Sequence, residues 1–96
     1  MPMASHIELW PLGSFIPYAR NARTHSDDQV AQIAASIKEF GFVNPILAGP
    51  DRVIIGGRAR LLAARKLGLR EVPVIILDGL NDNQRRALAL ADNRRL

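Results

Sequence analysis

The stretch "VIIGGRARLLAARKLG", Val53 to Gly68, decides the fold. An apolar run enters two adjacent glycines, meets two arginines, and continues as a helical pattern that stops at a third glycine. Read by period, this is a strand, a tight turn and then a helix. Gly56 and Gly57 let the backbone turn sharply and leave its N–H groups uncovered. The first amides of a helix have no internal partners. Together they make a seat for an anion, and Arg58 and Arg60 stand where they can add charge-assisted hydrogen bonds. Residues two apart at a helix start point in different directions, so one of the two faces a pocket there. The competing reading is a plain glycine turn with solvated arginines. The turn alone favours that plainer reading, because short glycine motifs are common.

On the N-terminal side, "NPILAG" and "RVIIGG" flank "GPD" and read as a hairpin-like pair closed by a Pro-Asp turn. Before them comes a helix. Ser26 followed by Gln29 is a capping-box spacing, and Asp27 and Asp28 suit the positive helix end. Val30, Ile33, Ala34 and Ile37 repeat at helical spacing on one face, and Gly41 reads as a left-handed cap. Residues 7–16, "IELWPLGSFI", read as a short strand interrupted by Pro11, which suits an edge or a bulge.

On the C-terminal side, the helix runs from about Arg58 to Leu67, with Leu61, Ala64 and Leu67 as its buried face. "EVPVIILD" is a continuous apolar strand, expected to be covered on both faces. Asn81 and Gln84 repeat the cap logic and open a third helix through "QRRALALADNRRL", which carries no stop signal. The order is β-α-β-β-α-β-α, an α+β domain with a mixed sheet and packed helices. Residues 1–6 are expected to be a disordered lead-in or a cloning remnant. Residues 7–96 are expected to form one domain, a fragment of a longer protein.

Ninety-six residues limit the chain to one domain with a modest core. There is no cysteine, which excludes disulfides, thiolate metal sites and cysteine nucleophiles, and fits a reducing, cytoplasmic setting. His6 and His25 fall in loop or terminal segments and form no ligand cluster. No apolar run reaches the ~20 residues of a membrane span. The net charge is +4, and eleven of the thirteen basic residues are arginine. A basic domain is drawn to nucleic acid and other phosphates, although a high-GC genome also enriches arginine. Trp10 and Phe15 read as core rather than as base-stacking platforms. Arg85 and Arg86 read as solvated helix arginines.

Four segments then occur in one order at fitting distances: "NART" (Asn21 to Thr24), "FVNPILAG" (Phe42 to Gly49), "GGRARLLAA" (Gly56 to Ala64) and "LALADNRRL" (Leu88 to Leu96). With them the sequence resembles the ParB N-terminal-like domain, also described as ParB-like nuclease, which shares its fold with sulfiredoxin. The resemblance covers about residues 7–96. It is strongest to the ParB-like domains that precede DNA-methyltransferase domains in bacterial, phage and prophage proteins. The run "GRARLLAARKLGLREVPVIILDGLNDNQRRALALADN" carries that likeness.

The resemblance implies a nucleotide or phosphate site. The family's Gly-Glu-Arg-Arg turn cradles the phosphates of a nucleotide, CTP in the chromosome-segregation members. Gly57 matches its glycine and Arg60 its final arginine, with Gly56 and Arg58 beside them. Asn44-Pro45 matches a segment lining the nucleotide pocket, and Arg23 a basic position near it. The family's Glu-Asn pair, which holds Mg²⁺ and triphosphate, falls on Asp92-Asn93, so Asp92 is the implied metal contact and Asn93 a phosphate contact. The family's glutamate is Arg58 here. In sulfiredoxin this position is the catalytic cysteine, so that chemistry is excluded.

The expected function is a nucleotide- or phosphate-binding module of a DNA-modifying or DNA-partitioning protein. Two rivals stand beside it. One is a metal-dependent nuclease or NTPase. The other is a non-specific DNA-binding and dimerisation module with a vestigial pocket. Nuclease chemistry needs several metal-holding acids, and Asp92 is the only motif acid, so binding ranks above catalysis. The expected partners are a nucleotide, DNA held weakly and without sequence preference, and a second copy in a homodimer, with no membrane.

Overall fold

The computed structural model describes residues 4–16 and 26–93, with side chains from Ile7 to Ile16 and from Ser26 to Ala91. The elements are β1 (Ala4–Pro11), α1 (Asp27–Phe40), β2 (Ile46–Ala48), β3 (Ile54–Gly56), α2 (Arg58–Lys66), β4 (Glu71–Leu77) and α3 (Asp82–Asn93). A single 3-10 turn, Leu12–Ser14, follows β1. This is the β-α-β-β-α-β-α order expected from the sequence. β1 starts at Ala4 and stops at Pro11, earlier at both ends than the run 7–16 implied, and His6 lies within it rather than in a terminal loop. His25 lies outside the described residues.

The sheet order is β1-β4-β2-β3. β1 pairs antiparallel with β4, β2 pairs parallel with β4, and β2 with β3 forms the antiparallel hairpin. β1 is an edge strand with a register shift between Ala4 and His6, and Pro11 closes it, where its missing N–H costs no ladder bond. The hairpin turn is built by Arg52 N–H donating to the Gly49 carbonyl (2.9 Å) and by Val53 N–H donating to Asp51 Oδ1 (3.3 Å).

One face of the sheet carries the core. Trp10, Ile46, Ala48, Ile54, Val72, Val74 and Ile76 pack there against Leu61 and Ala64 of α2. Ala59 and Ala63 are also buried, so α2 sinks close to its neighbours through small side chains. The other face is only partly covered. α3 packs against β3, where Ile55 is 1% exposed, but Ile7 and Leu9 at the β1 edge are each 63% exposed. The expectation that β4 is covered on both faces is therefore corrected. Val72, Val74 and Ile76 are buried, while Pro73, Ile75 and Leu77 are half-buried.

The caps follow the sequence. Ser26 Oγ accepts the Gln29 N–H at 3.1 Å. Asn81 and Gln84 form a reciprocal box at 2.8 and 2.9 Å. Gly41 closes α1 by donating its N–H to the Ile37 carbonyl (2.8 Å), but at φ 85, ψ 175 it is not in the left-handed helical region expected of it.

Arg85 departs from the solvated arginine the sequence implied. Its Nη1 reaches Asp51 Oδ2 at 2.9 Å and Oδ1 at 3.2 Å, tying α3 to the hairpin turn. Gly49 sits beneath: a Cβ there would stand 2.6 Å from both Arg85 Nη2 and Asp51 Oδ1. Desolvation works to raise the Asp51 pKa, but the Arg85 hydrogen bond, the Val53 N–H and the arginine's charge outweigh it and hold the carboxyl below its ordinary value. Arg86 makes only a 4.0 Å contact to Asp82, one turn back, and is exposed as expected.

Candidate functional site

The site grows from the turn between β3 and α2. Gly57 is the N-cap of α2 at φ 92, ψ 21, a left-handed conformation that disfavours any residue with a Cβ. A second demand falls on the same residue. A Cβ there would lie 2.9 Å from Arg60 Nη2 and 3.2 Å from the Ile46 Cα. The glycine therefore makes the turn and also lets the Arg60 guanidinium lie across it. Arg60 is half-buried, and its Nη2 donates to the Pro45 carbonyl at 3.0 Å. That bond fixes a cation in advance of any ligand.

Arg60 lines an open cavity of about 440 Å³. α1 contributes Gln29, Gln32, Ile33, Ser36 and Ile37, a single helical stripe at i, i+3, i+4, i+7 and i+8. The segment 41–45 contributes Phe42, Val43, Asn44 and Pro45, and the sheet contributes Leu47 and Ile75. Apolar groups of α1 and of the sheet thus line one cavity with Arg60. No carboxylate is among the described lining residues, and Arg60 is the only ionised group among them. Chemically this is a slot for a molecule with an apolar body and an anionic end.

Asn44, Pro45 and Arg60 are brought together on this cavity as the sequence implied. Gly57 packs under the Arg60 head group, and Gly56 is buried at the end of β3. Arg58 is not brought in. Its side chain lines a separate hollow with Phe15, Ile54, Leu61, Leu62 and Arg65. The two side chains diverge at the helix start, and Arg60 alone of the pair lines the larger cavity. Asp92 and Asn93 occupy the last turn of α3, and their side chains, like all of Arg23, lie outside the described residues.

The sequence reading missed the polar side of α1. Ile33 and Ile37, which the spacing puts on one face, are half-buried and line the cavity, and Ala34 is the one buried residue of the helix. The available signal was Gln29, Gln32 and Ser36, polar residues at helical spacing beside that apolar stripe. Trp10 is 6% exposed and belongs to the core as expected, with Phe15 half-buried against it. Among the described residues no group of three His, Cys, Asp or Glu is placed to hold a metal.

Comparison with known proteins follows the same outline. A sequence model of the ParB N-terminal domain matches residues 6–94. The chain is 51% identical over 76 residues to the ParB-like nuclease domain-containing protein YnaK of Escherichia coli, covering 79% of this chain and 87% of that protein. Its fold matches the C-terminally truncated chromosome-partitioning protein ParB from Caulobacter crescentus, complexed with CTP-gamma-S. That match has a TM-score of 0.81 and 23% identity, over 96% of this chain and 54% of the other. It also matches sulfiredoxin from Arabidopsis thaliana, with a TM-score of 0.71 and 24% identity, over 86% of this chain and 97% of the other. At these identities the structural likeness speaks to the fold, which is the mixed α+β fold common to both proteins. The chain spans about a third of the length of the curated partitioning and nucleoid-occlusion relatives it matches.

Proposed function

The chain belongs to the ParB N-terminal domain family, and we propose that it is the nucleotide-binding module of a DNA-modifying or DNA-partitioning protein. The observation that carries this reading is Arg60, held on the Pro45 carbonyl at the wall of a cavity whose described lining is otherwise uncharged and largely apolar. The base and sugar of a nucleotide pack between the α1 stripe and Leu47 and Ile75. The phosphates lie toward Arg60 and the Gly56-Gly57 turn, with Asn44 at the wall. The family relative solved with a CTP analogue makes CTP the first ligand to try. Mg²⁺ enters as the companion of the triphosphate, with Asp92 as its proposed contact and Asn93 and Arg23 as proposed phosphate contacts. Supplying positive charge to phosphate oxygens is what such an ion would add.

Calorimetry of CTP binding, with and without Mg²⁺, tests the assignment. Arg60→Ala should weaken binding about tenfold or more, the scale of a lost charge-assisted hydrogen bond. Arg58→Ala should stay within about twofold, since its side chain faces away. Arg60→Lys separates charge from the Nη2 hydrogen bond to Pro45. Equal affinity of wild type and Arg60→Ala, or no binding of CTP or inorganic phosphate by the wild type, overturns the reading.

Hydrolysis ranks below binding. Phosphoryl transfer needs a positioned water and charge stabilisation, usually with Mg²⁺, and the described lining offers the charge but no carboxylate. DNA is proposed as a weak, non-specific partner through the arginines. Homodimerisation, a neighbouring DNA-methyltransferase domain of phage or prophage type, and a cytoplasmic location complete the proposal. Reading the gene through to its stop codon tests the methyltransferase association directly. No described helix is long and apolar enough to cross a membrane.

A further inference from the structure

The second hollow lies on a different stripe of α2 from Arg60, and nucleotide binding does not use it. Arg58, Leu61, Leu62 and Arg65 fall at i, i+3, i+4 and i+7, one face of the helix, with cations at its two ends and leucines between. Phe15 and Ile54 complete the floor of a hollow of about 50 Å³. Phe15 in turn packs on Trp10, with ring centroids 5.4 Å apart. Arg52 holds its guanidinium 4.9 Å over the Trp10 ring, so a third cation flanks the same aromatic pair.

Two features set this patch apart from an ordinary solvated face. Neither Arg58 nor Arg65 makes an ion pair or hydrogen bond among the described residues, and no carboxylate lines the hollow. Arg58 also stands in the first turn of α2, at the positive end of the helix dipole, with no acid in that turn to offset it. A local rule broken without compensation marks a surface kept for another purpose.

We propose that this face docks a short acidic segment of a partner protein, seating one aliphatic side chain in the hollow between carboxylates that reach Arg58 and Arg65. The charge of the patch favours an anionic occupant. The hollow selects the class: it exceeds the ~30 Å³ share of one water and admits the tip of an aliphatic side chain, but no base or sugar. A nucleic-acid backbone would use the arginines and leave the leucine floor idle. Seven residues of helix rise about 10.5 Å. In an extended chain residues i, i+2 and i+4 share a face and span about 13 Å, a difference the long arginine side chains cover. The matching pattern is therefore acid, any residue, aliphatic, any residue, acid.

The test is fluorescence anisotropy of the full chain with a labelled peptide containing Glu-Ser-Leu-Ser-Glu, beside its Gln-Ser-Leu-Ser-Gln counterpart and a random-sequence duplex DNA. Saturable binding of the acidic peptide and not of its glutamine counterpart is expected. Arg58→Gln and Arg65→Gln should each weaken it about fivefold, and Leu62→Ser should weaken it as well. Arg60→Ala should leave it unchanged, which separates this face from the nucleotide cavity. Amide shifts on peptide addition should centre on Phe15, Arg58, Leu62 and Arg65. No saturable peptide binding, or shifts centred on Asn44 and Arg60, overturns the proposal. So does peptide binding that falls with Arg58→Gln and Arg65→Gln yet ignores Leu62→Ser, which would make the face a bare anion contact with no use for the hollow.

Discussion

Replacing Gly57 with alanine should be among the most damaging single-methyl changes this domain can suffer. Two costs add. At φ 92 the alanine sits in the left-handed region, which costs about 1 kcal/mol relative to glycine. Its Cβ also meets Arg60 Nη2 at 2.9 Å, Arg60 Cζ at 3.2 Å and the Ile46 Cα at 3.2 Å. The guanidinium can swing away, but only by giving up the Pro45 carbonyl, a part-buried bond to a charged donor worth roughly 1.5 kcal/mol. Ile46 is fully buried backbone in a central strand and cannot yield. The sum is about 2–3 kcal/mol, or a fall in Tm of roughly 10–20 °C for a domain of this length. Gly68→Ala is the control. It shares a positive φ of 73, but nothing stands within 4 Å of the added carbon, so it should lose only about 1 kcal/mol. Urea unfolding followed by far-UV circular dichroism measures both. Equal losses in the two variants, or a Gly57→Ala protein within about 0.5 kcal/mol of wild type, would refute the claim that Arg60 and Gly57 are packed as one unit.

Asp51→Asn should cost about 0.5 kcal/mol at neutral pH, a modest figure because the Asp51 side chain is 52% exposed. The Asp51 pKa is lowered in the folded state, so its stabilisation is full above the ordinary value of 3.8 and is lost as pH falls through the lower folded value. The wild-type and Asp51→Asn unfolding curves should therefore converge in strong acid, and a gap that persists there would contradict the pairing with Arg85. Ser26→Ala removes the acceptor for the Gln29 N–H and should cost about 1 kcal/mol by thermal denaturation. Any duplex binding by this chain should weaken steeply between two salt concentrations and not distinguish sequences, and tight, selective binding at physiological salt would count against it. Phosphate release from CTP and plasmid nicking should stay at background with Mg²⁺ or Mn²⁺, whereas turnover abolished by Asp92→Ala would move catalysis ahead of binding.

What the sequence determined by itself was whatever rests on local physics. The strand-turn-helix at 53–68, the Ser26 and Asn81 caps, the hairpin around Pro50-Asp51 and the edge role of Pro11 all follow from steric rules and backbone donors within a few residues. That is why the element order could be written down before any contact was known. The choice between Arg58 and Arg60 was half legible: the spacing says that they diverge, but only the packing of α2 says which of them meets Pro45. The rest belonged to tertiary structure. Ile33 and Ile37 look like core residues on a helical wheel, and they line a cavity because α1 packs chiefly on α2 and leaves a gap above Leu47 and Ile75. Arg85 looks solvated in its helix, and it is an anchor because the hairpin turn thirty-four residues earlier brings Asp51 within 2.9 Å. A helical period records that a residue faces inward. It holds no information about the distance to the opposite wall, and that distance separates a core from a binding site.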